Sequence, residues 1–325
     1  MEKLSGTFTS SNSISEIGYF IYLPDTTPRA VIQICHGLSE HIERYENEGF
    51  VSYMTEQGFI VCGNDHIGHG SSVKDEKDLG HFEDYEDLIS DLRILKNIVK
   101  KRYPSLPYIL LGNSSGSYIA RSYIVKHDDV DGVILSGTGT GNGPMGLYKV
   151  LSMLTAGLRG DKHKSRFIHR IAFGHLSSSF ASEQDKHSFV SADLGARQRY
   201  KHDNKCGFML SALALRELFD VIRSVNDADW VTNVPLSLPV LLISGEDDPI
   251  AEKGDGIRQI YDALADHELN ELKMKIYKGC RHDVLNDSAK EEVLSDTAEW
   301  INGVAEGVVA CRSYGELPFG KVDFT

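Results

Sequence analysis

The 325-residue chain has no apolar run approaching the roughly 20 residues that cross a bilayer, which argues against a membrane-spanning protein. Its opening stretch, Met1 to Asn12, is polar and lacks the basic-then-apolar signature of a secretory leader, so the cytoplasm is the expected location. Cysteine is scarce: Cys35, Cys62, Cys206, Cys280 and Cys311 are scattered, odd in number and without a CxxC pair. That usage points to buried free thiols rather than a disulfide framework. Thirteen histidines are present, yet none falls into HExxH or a comparable ligand spacing, so no metal and no other cofactor is expected. Excess basic charge is missing too. With 34 Lys+Arg against 47 Asp+Glu, the net charge of −13 argues against nucleic acid as the main partner, because neutralising phosphates needs a cationic surface. What remains, 41% hydrophobic and 25% charged residues, suits a globular chain with a sizeable core. Nothing in the sequence reads out the oligomeric state.

Short apolar or β-branched runs alternate with helix-like stretches. Strands are expected at Gly18–Leu23, Ala30–Cys35, Phe59–Gly63, Tyr108–Leu111, Gly132–Ser136, Val240–Ser244 and Leu272–Tyr277. Most are continuous apolar runs, the pattern of strands covered on both faces. Helical patterns fall at Gly49–Gln57, Tyr85–Tyr103, Gly116–His127, Ile257–Ala265 and Lys290–Asn302; in the second, Leu88, Leu92, Leu95 and Val99 form one apolar stripe. The fold class is therefore α/β, with a mostly parallel sheet flanked by helices. The rhythm breaks between residues 138 and 234, where only Leu147–Leu158 and Phe208–Ile222 look helical and no core strand stands out. That segment holds 13 Lys+Arg against 9 Asp+Glu, while the rest of the chain holds 21 against 38. Residues 138–234 are read as a helical lid inserted into a core formed by 1–137 and 235–325. The tail from Gly303 to Thr325 has no readable role.

The strongest local signal is Gly112-Asn113-Ser114-Ser115-Gly116, directly after an expected strand and directly before an expected helix. Glycines two residues either side of a serine relieve clashes in a tight strand-to-helix turn, which lifts the hydroxyl above the sheet. Ser114 is the candidate nucleophile, with Ser115 as its neighbour and rival. An alcohol needs a base oriented by an acid, and in this setting both follow later strands in the order serine, acid, histidine. Asp248 follows Val240–Ser244, with Asp247 as the alternative; His282 follows Leu272–Tyr277 and is the one histidine there. The backbone amides of Leu38, in Cys35-His36-Gly37-Leu38, and of Ser115 are the expected oxyanion donors. His36 is expected to support that loop rather than titrate.

With those residues in view, a family resemblance can be stated. His36-Gly37-Leu38-Ser39-Glu40-His41 with Arg44-Tyr45 resembles the HGxxEHxxRY segment of the monoglyceride lipase and lysophospholipase-like α/β-hydrolases, a branch of the serine aminopeptidase superfamily. Asp65-His66-Ile67-Gly68-His69-Gly70-Ser71 resembles their DxxGHGxS loop. The elbow, Cys206-Gly207-Phe208 and Arg281-His282-Asp283-Val284-Leu285-Asn286 extend the likeness across residues 18 to 302. Three positions depart from it: Asn113 and Ser115 stand where relatives carry His and Met, and Asp283 where they carry Glu. The resemblance implies an ester hydrolase acting on monoacylglycerol or lysophospholipid-type small molecules. A short-chain or aryl carboxylesterase is nearly as well matched. Thioesterase, acyltransferase, proline-type aminopeptidase and a non-catalytic small-molecule receptor are the further readings of such a scaffold.

Around the triad, Glu40, Arg44, Asp65, His66 and His69 are expected to brace loops. In the insertion, Leu147, Leu151 and Leu154 are candidates for lining an acyl channel. The basic stretch Arg159, Lys162, Lys164, Arg166 and Arg170 offers peripheral contact with anionic lipid headgroups, or a plain solvated face.

Overall fold

The computed structural model describes residues 1–141, 143–227 and 229–315. Eight strands form one sheet: β1 (Glu2–Thr9), β2 (Glu16–Leu23), β3 (Ala30–Cys35), β4 (Phe59–Asn64), β5 (Tyr108–Asn113), β6 (Gly132–Ser136), β7 (Val240–Gly245) and β8 (Leu272–Tyr277). They lie in the order β1-β2-β4-β3-β5-β6-β7-β8. The β1–β2 and β2–β4 pairs are antiparallel and the others parallel. The short α1 (Ile42–Asn47) and α2 (Phe50–Glu56) join β3 to β4; α3 (Tyr85–Arg102) and α4 (Ser115–Lys126) flank β5 in sequence.

Strand alternation divides the core between the two faces. From β5, Leu110 packs with Leu88 and Leu92 of α3 and Ile119 of α4. Its neighbours Ile109 and Leu111 pack with Phe50 and Met54 of α2 on the opposite side. Both sets are fully or nearly fully buried, so a period-two pattern is hidden inside a continuous apolar run. Asp84 caps α3 by accepting from the Glu86 amide at 2.9 Å, an interaction typically worth about 1 kcal/mol.

Between β6 and β7 the described residues contain no strand. They form α5 (Met145–Arg159), α6 (Arg166–Phe173), α7 (Leu194–His202) and α8 (Ala212–Ser224), of which α6 and α7 were not legible from apolar periodicity. The helix expected from Phe208 begins only at Ala212; Phe208 to Ser211 is irregular chain lying on core loops, with Ser211 as the helix cap. After β7 come α9 (Asp255–Asp266), β8 and α10 (Lys290–Gly315).

Two further expectations need correction. The polar N-terminal stretch, where no strand was expected, forms strand β1, whose alternate residues are exposed because it closes the sheet edge. The last core helix continues well past Asn302, to Gly315; residues 316–325 of the expected tail lie outside the described residues. No helix among the described residues is long and apolar enough to cross a membrane. The cysteines are free, with Cys35, Cys62 and Cys280 buried, Cys206 half-buried and Cys311 exposed.

Candidate active site

Strand β5 ends in Asn113 and α4 begins at Ser115, leaving Ser114 alone in the turn with φ 54° and ψ −123°. A side chain at positive φ is costly for an L residue and is typical of a serine held up on a sharp strand-to-helix turn. The turn is pinned by the Ser114 amide donating to Ser136 O at 2.8 Å and by the Ser117 amide donating back to Ser114 O at 2.9 Å. Its tightness requires Gly116: a Cβ there would lie 2.1 Å from Cys35 O and 2.6 Å from His36 O.

The loop after β8 brings His282 to this turn. Its Nε2 stands 2.7 Å from Ser114 Oγ, and its Nδ1 stands 3.0 Å from Asp248 Oδ2 and 3.1 Å from Oδ1. Asp248 is fully buried, and its Oδ1 also accepts from the Ile250 amide at 2.8 Å. The neighbouring Asp247 is partly exposed and spends its amide on Cys280 O, so the carboxylate facing the imidazole is that of Asp248. Burial works to lower the His282 pKa, but the Asp248 charge and hydrogen bond outweigh it and hold the ring above its usual 6.5.

On the other side of Ser114 lies the loop after β3. Leu38 and Ser115 border the same cavity as Ser114 and His282. Among the described residues, neither amide donates to another backbone group outside helices and strands. Gly37 is required for the approach: a Cβ there would sit 3.0 Å from Ser114 Cβ and 2.8 Å from Glu40 Oε1. Glu40 shapes the loop by accepting from the Gly37 amide at 2.5 Å, Arg44 Nη1 at 2.6 Å and Tyr45 Oη at 2.8 Å. Arg44 also pairs with Asp283, next to His282. One buried guanidinium thus ties the two loops that flank Ser114.

The loop histidines are neutral braces. The His36 Nδ1–H donates to Gly37 O at 2.8 Å while Nε2 accepts from the His66 amide at 3.0 Å. Burial pushes the pKa of His36 well down and that of His66 down to about 3. Asp65 accepts from the Ile42 amide at 2.8 Å and from Ser71 N at 2.6 Å and Oγ at 2.7 Å. Asp287, a residue missed by sequence reasoning, organises the base loop through the Arg281, Ala192 and Ser288 amides. Its signal was its place within the Arg281–Asp287 run.

A cavity of about 440 Å³ opens beside Ser114, within the size range of small-molecule sites. Met145, Phe173, Leu176, Val190, Leu218 and Ile222 contribute its apolar wall. Leu147, Leu151 and Leu154 of the segment between β6 and β7 do not line it. Leu147 and Leu154 are 54% and 58% exposed, and Leu151 packs into the core cluster instead. The reason is geometric: α5 lies along α8 and buries its small residues Ser152 and Ala156, so its large apolar stripe turns outward. Among the described residues, one trio has cation-type donors near enough to share an ion, His41, Asp203 and Cys206. There His41 Nε2 already faces Asp203 Oδ2 at 2.8 Å.

Comparison with known proteins agrees with this architecture. The family model described as "Serine aminopeptidase, S33" matches residues 26–289, and the chain belongs to that family of α/β-hydrolases. A monoacylglycerol lipase of Mycolicibacterium smegmatis is 28% identical, over 90% of this chain and 96% of its own. Monoglyceride lipase of Rattus norvegicus is 26% identical, over 86% of this chain and 84% of its own. Among solved structures, a thermostable carboxyl esterase from Bacillus coagulans superposes with a TM-score of 0.87 at 26% identity, covering 94% of this chain and 99% of its own.

Proposed function

We infer that this chain hydrolyses carboxylic esters through an acyl-enzyme on Ser114. The observation that carries the reading is the Ser114–His282–Asp248 hydrogen-bond chain, set beside two unspent amides at the end of an apolar cavity. His282, with Nδ1–H donated to Asp248, accepts the Ser114 proton as the hydroxyl oxygen attacks the ester carbonyl. The Leu38 and Ser115 amides receive the oxyanion. Collapse of the tetrahedral intermediate expels the alcohol, which takes the proton from His282. Water then attacks the acyl-enzyme by the same route, and no cofactor enters any step.

Monoacylglycerol and lysophospholipid-type esters are the favoured substrates. A largely apolar wall accommodates an acyl chain, and two relatives bear monoacylglycerol and monoglyceride lipase names. The second reading, a short-chain carboxylesterase, is favoured by the Bacillus coagulans likeness. An aminopeptidase would need carboxylates to hold a free amino terminus; of those at the cavity, Glu40 and Asp283 are paired with Arg44 and Glu252 accepts from Thr140, and Arg170 and Lys186 further disfavour that reading. A chain-length series of p-nitrophenyl and glyceryl esters decides between the two esterase readings. Efficiency rising toward long-chain monoglycerides supports the first; a peak at acetyl or butyryl esters selects the second. Activity retained in full by Ser114→Ala would reject both.

Residues 138–234 serve in this reading as the lid of that cavity. Its outer face carries the exposed Leu147, Val150, Leu154, Leu158 and Phe167 beside Arg159, Arg166 and Arg170, a composition suited to an anionic lipid surface. Lys162 is drawn off into a pair with Asp78 at 2.5 Å. Co-sedimentation with phosphatidylglycerol vesicles should be salt-sensitive and should weaken in Arg159→Ala/Arg166→Ala. Salt-independent sedimentation would remove the electrostatic part of the reading.

A further inference from the structure

We propose that the Cys206–Phe208 stretch of the insertion is a latch that sets the oxyanion loop, with Ser39 as the positioning residue through which it acts. The inference rests on the assignment of Ser114 as nucleophile and Leu38 as an oxyanion donor. Ser39 follows Leu38 directly, so holding it in place anchors the chain one residue beyond the Gly37–Leu38 peptide that presents the Leu38 amide. It sits at φ 53°, a left-handed conformation that residues with side chains rarely adopt unaided.

What holds it there comes from outside its own turn. Ser39 Oγ donates to Phe208 O at 2.7 Å, and Ser39 O accepts from the Gly207 amide at 2.9 Å. On the core side, the Ser39 amide donates to His69 Nε2 at 3.4 Å. The Phe208 ring then packs on the His69 ring, with centroids 5.1 Å apart, so the two holds on Ser39 brace each other. Two of the three polar atoms of Ser39 are therefore spent on the insertion.

The latch is itself fastened to the core at both ends. Before it, Asp203 Oδ2 meets His41 Nε2 at 2.8 Å. After it, the Ser211 amide donates to Gly80 O at 2.8 Å, and Ser211 Oγ lies 2.9 Å from His81 Nδ1. The outer helices are held differently. Helix α5 packs on α8 and is paired to it through Lys149 and Asp220 at 2.6 Å. The insertion thus contains an inner run, residues 203–211, that belongs mechanically to the active site, with α6 touching it through His169 Nε2 and Leu210 O at 3.3 Å, and an outer helix α5 that rests on α8. Helix α5 can shift for an entering acyl chain while the oxyanion donors stay in place. Detaching Phe208, in contrast, frees Ser39 to relax from positive φ and turns the Leu38 amide away from Ser114.

Affinity for a transition-state-like adduct tests this directly. An alkyl trifluoromethyl ketone forms a hemiketal oxyanion on the serine, whereas the corresponding alkyl alcohol competes without one. Ser39→Ala deletes the hydroxyl and keeps a Cβ that disfavours positive φ, whereas Ser39→Gly deletes the hydroxyl and accepts positive φ. The expected result for Ser39→Ala is a fall in kcat and in ketone affinity of about 10–100-fold, below the roughly 100–1,000-fold cost of losing a whole donor, with Ser39→Gly recovering at least part of the loss. KM and alcohol affinity should stay within about 2-fold. Asp203→Ala should show the same split, and Asp220→Ala, which loosens only the outer helices, should leave ketone affinity unchanged. Ketone binding by Ser39→Ala as tight as in the wild type, or by Ser39→Gly weaker than by Ser39→Ala, would overturn the latch. So would equal losses for ketone and alcohol, which mark a merely structural role. A wild-type protein that forms no ketone adduct would instead overturn the ester-hydrolase reading, and the latch with it.

Discussion

Replacing Asp248 by Asn isolates what the buried carboxylate contributes. Asp248 Oδ1 accepts from the Ile250 amide at 2.8 Å, so the Asn carbonyl oxygen must occupy that position to keep the hydrogen bond. Its amide nitrogen then takes the place of Oδ2, which lies 3.0 Å from His282 Nδ1. A donor now faces Nδ1 at 3.0 Å, ahead of the carbonyl oxygen at the Oδ1 position 3.1 Å away. The imidazole answers by moving its proton to Nε2, and Nε2–H points at Ser114 Oγ 2.7 Å away, where an acceptor is required. Reversal of the tautomer in a triad costs about 10⁴-fold in kcat, or about 5.4 kcal/mol at about 1.36 kcal/mol per tenfold. The pH profile carries an independent signature. Neutral His282 is the active form, and its pKa stands above 6.5 because Asp248 outweighs the effect of burial. Wild-type kcat/KM should therefore fall as the pH drops through a value above 6.5. In Asp248→Asn the lowering effect of burial is left with only the weaker influences of Asp283 and Glu40 against it, so the acid limb should move below 6.5. Steady-state rates on p-nitrophenyl butyrate between pH 5 and 9 measure both. A loss under tenfold, or an acid limb that does not move, would refute the assignment of Asp248.

Gly116→Ala places a Cβ 2.1 Å from Cys35 O, a backbone atom that cannot swing aside, so melting should shift down by the equivalent of about 1–3 kcal/mol of overpacking. An unchanged melting temperature would contradict the tight elbow. Arg44→Met leaves the buried Glu40 and Asp283 carboxylates without their shared cation, a loss of about 3–5 kcal/mol in urea unfolding at pH 7. In native protein treated with a thiol reagent, Cys311 should react first. Cys35 and Cys62 should stay unmodified until unfolding, because both are buried and burial pushes the Cys62 thiol up to about 12 and Cys35 higher still.

Sequence alone exposed those parts of the molecule whose physics is local. Strands β3 to β7 announce themselves as apolar runs because both faces are covered. The elbow is legible because Gly112, Ser114 and Gly116 answer a steric demand within five residues. Strand β1 escaped notice because an edge strand buries so little that its residues remain mixed in polarity. The lid leucines misled for the opposite reason: apolar residues at helical spacing imply a buried face, but α5 buries Ser152 and Ala156 and turns Leu147 and Leu154 out. The contacts of Ser39 were least accessible. They join residues 169 positions apart through a main-chain carbonyl that every residue type carries.

The most direct measurement is the site of covalent capture. Rapid-quench mass spectrometry of the protein with a slow ester substrate, alongside fluorophosphonate labelling, reads the acylated peptide. The expected result is one adduct per chain on Ser114, absent in Ser114→Ala and formed far more slowly in His282→Ala. Stoichiometric capture on another residue, or turnover surviving in Ser114→Ala, would contradict the proposed chemistry.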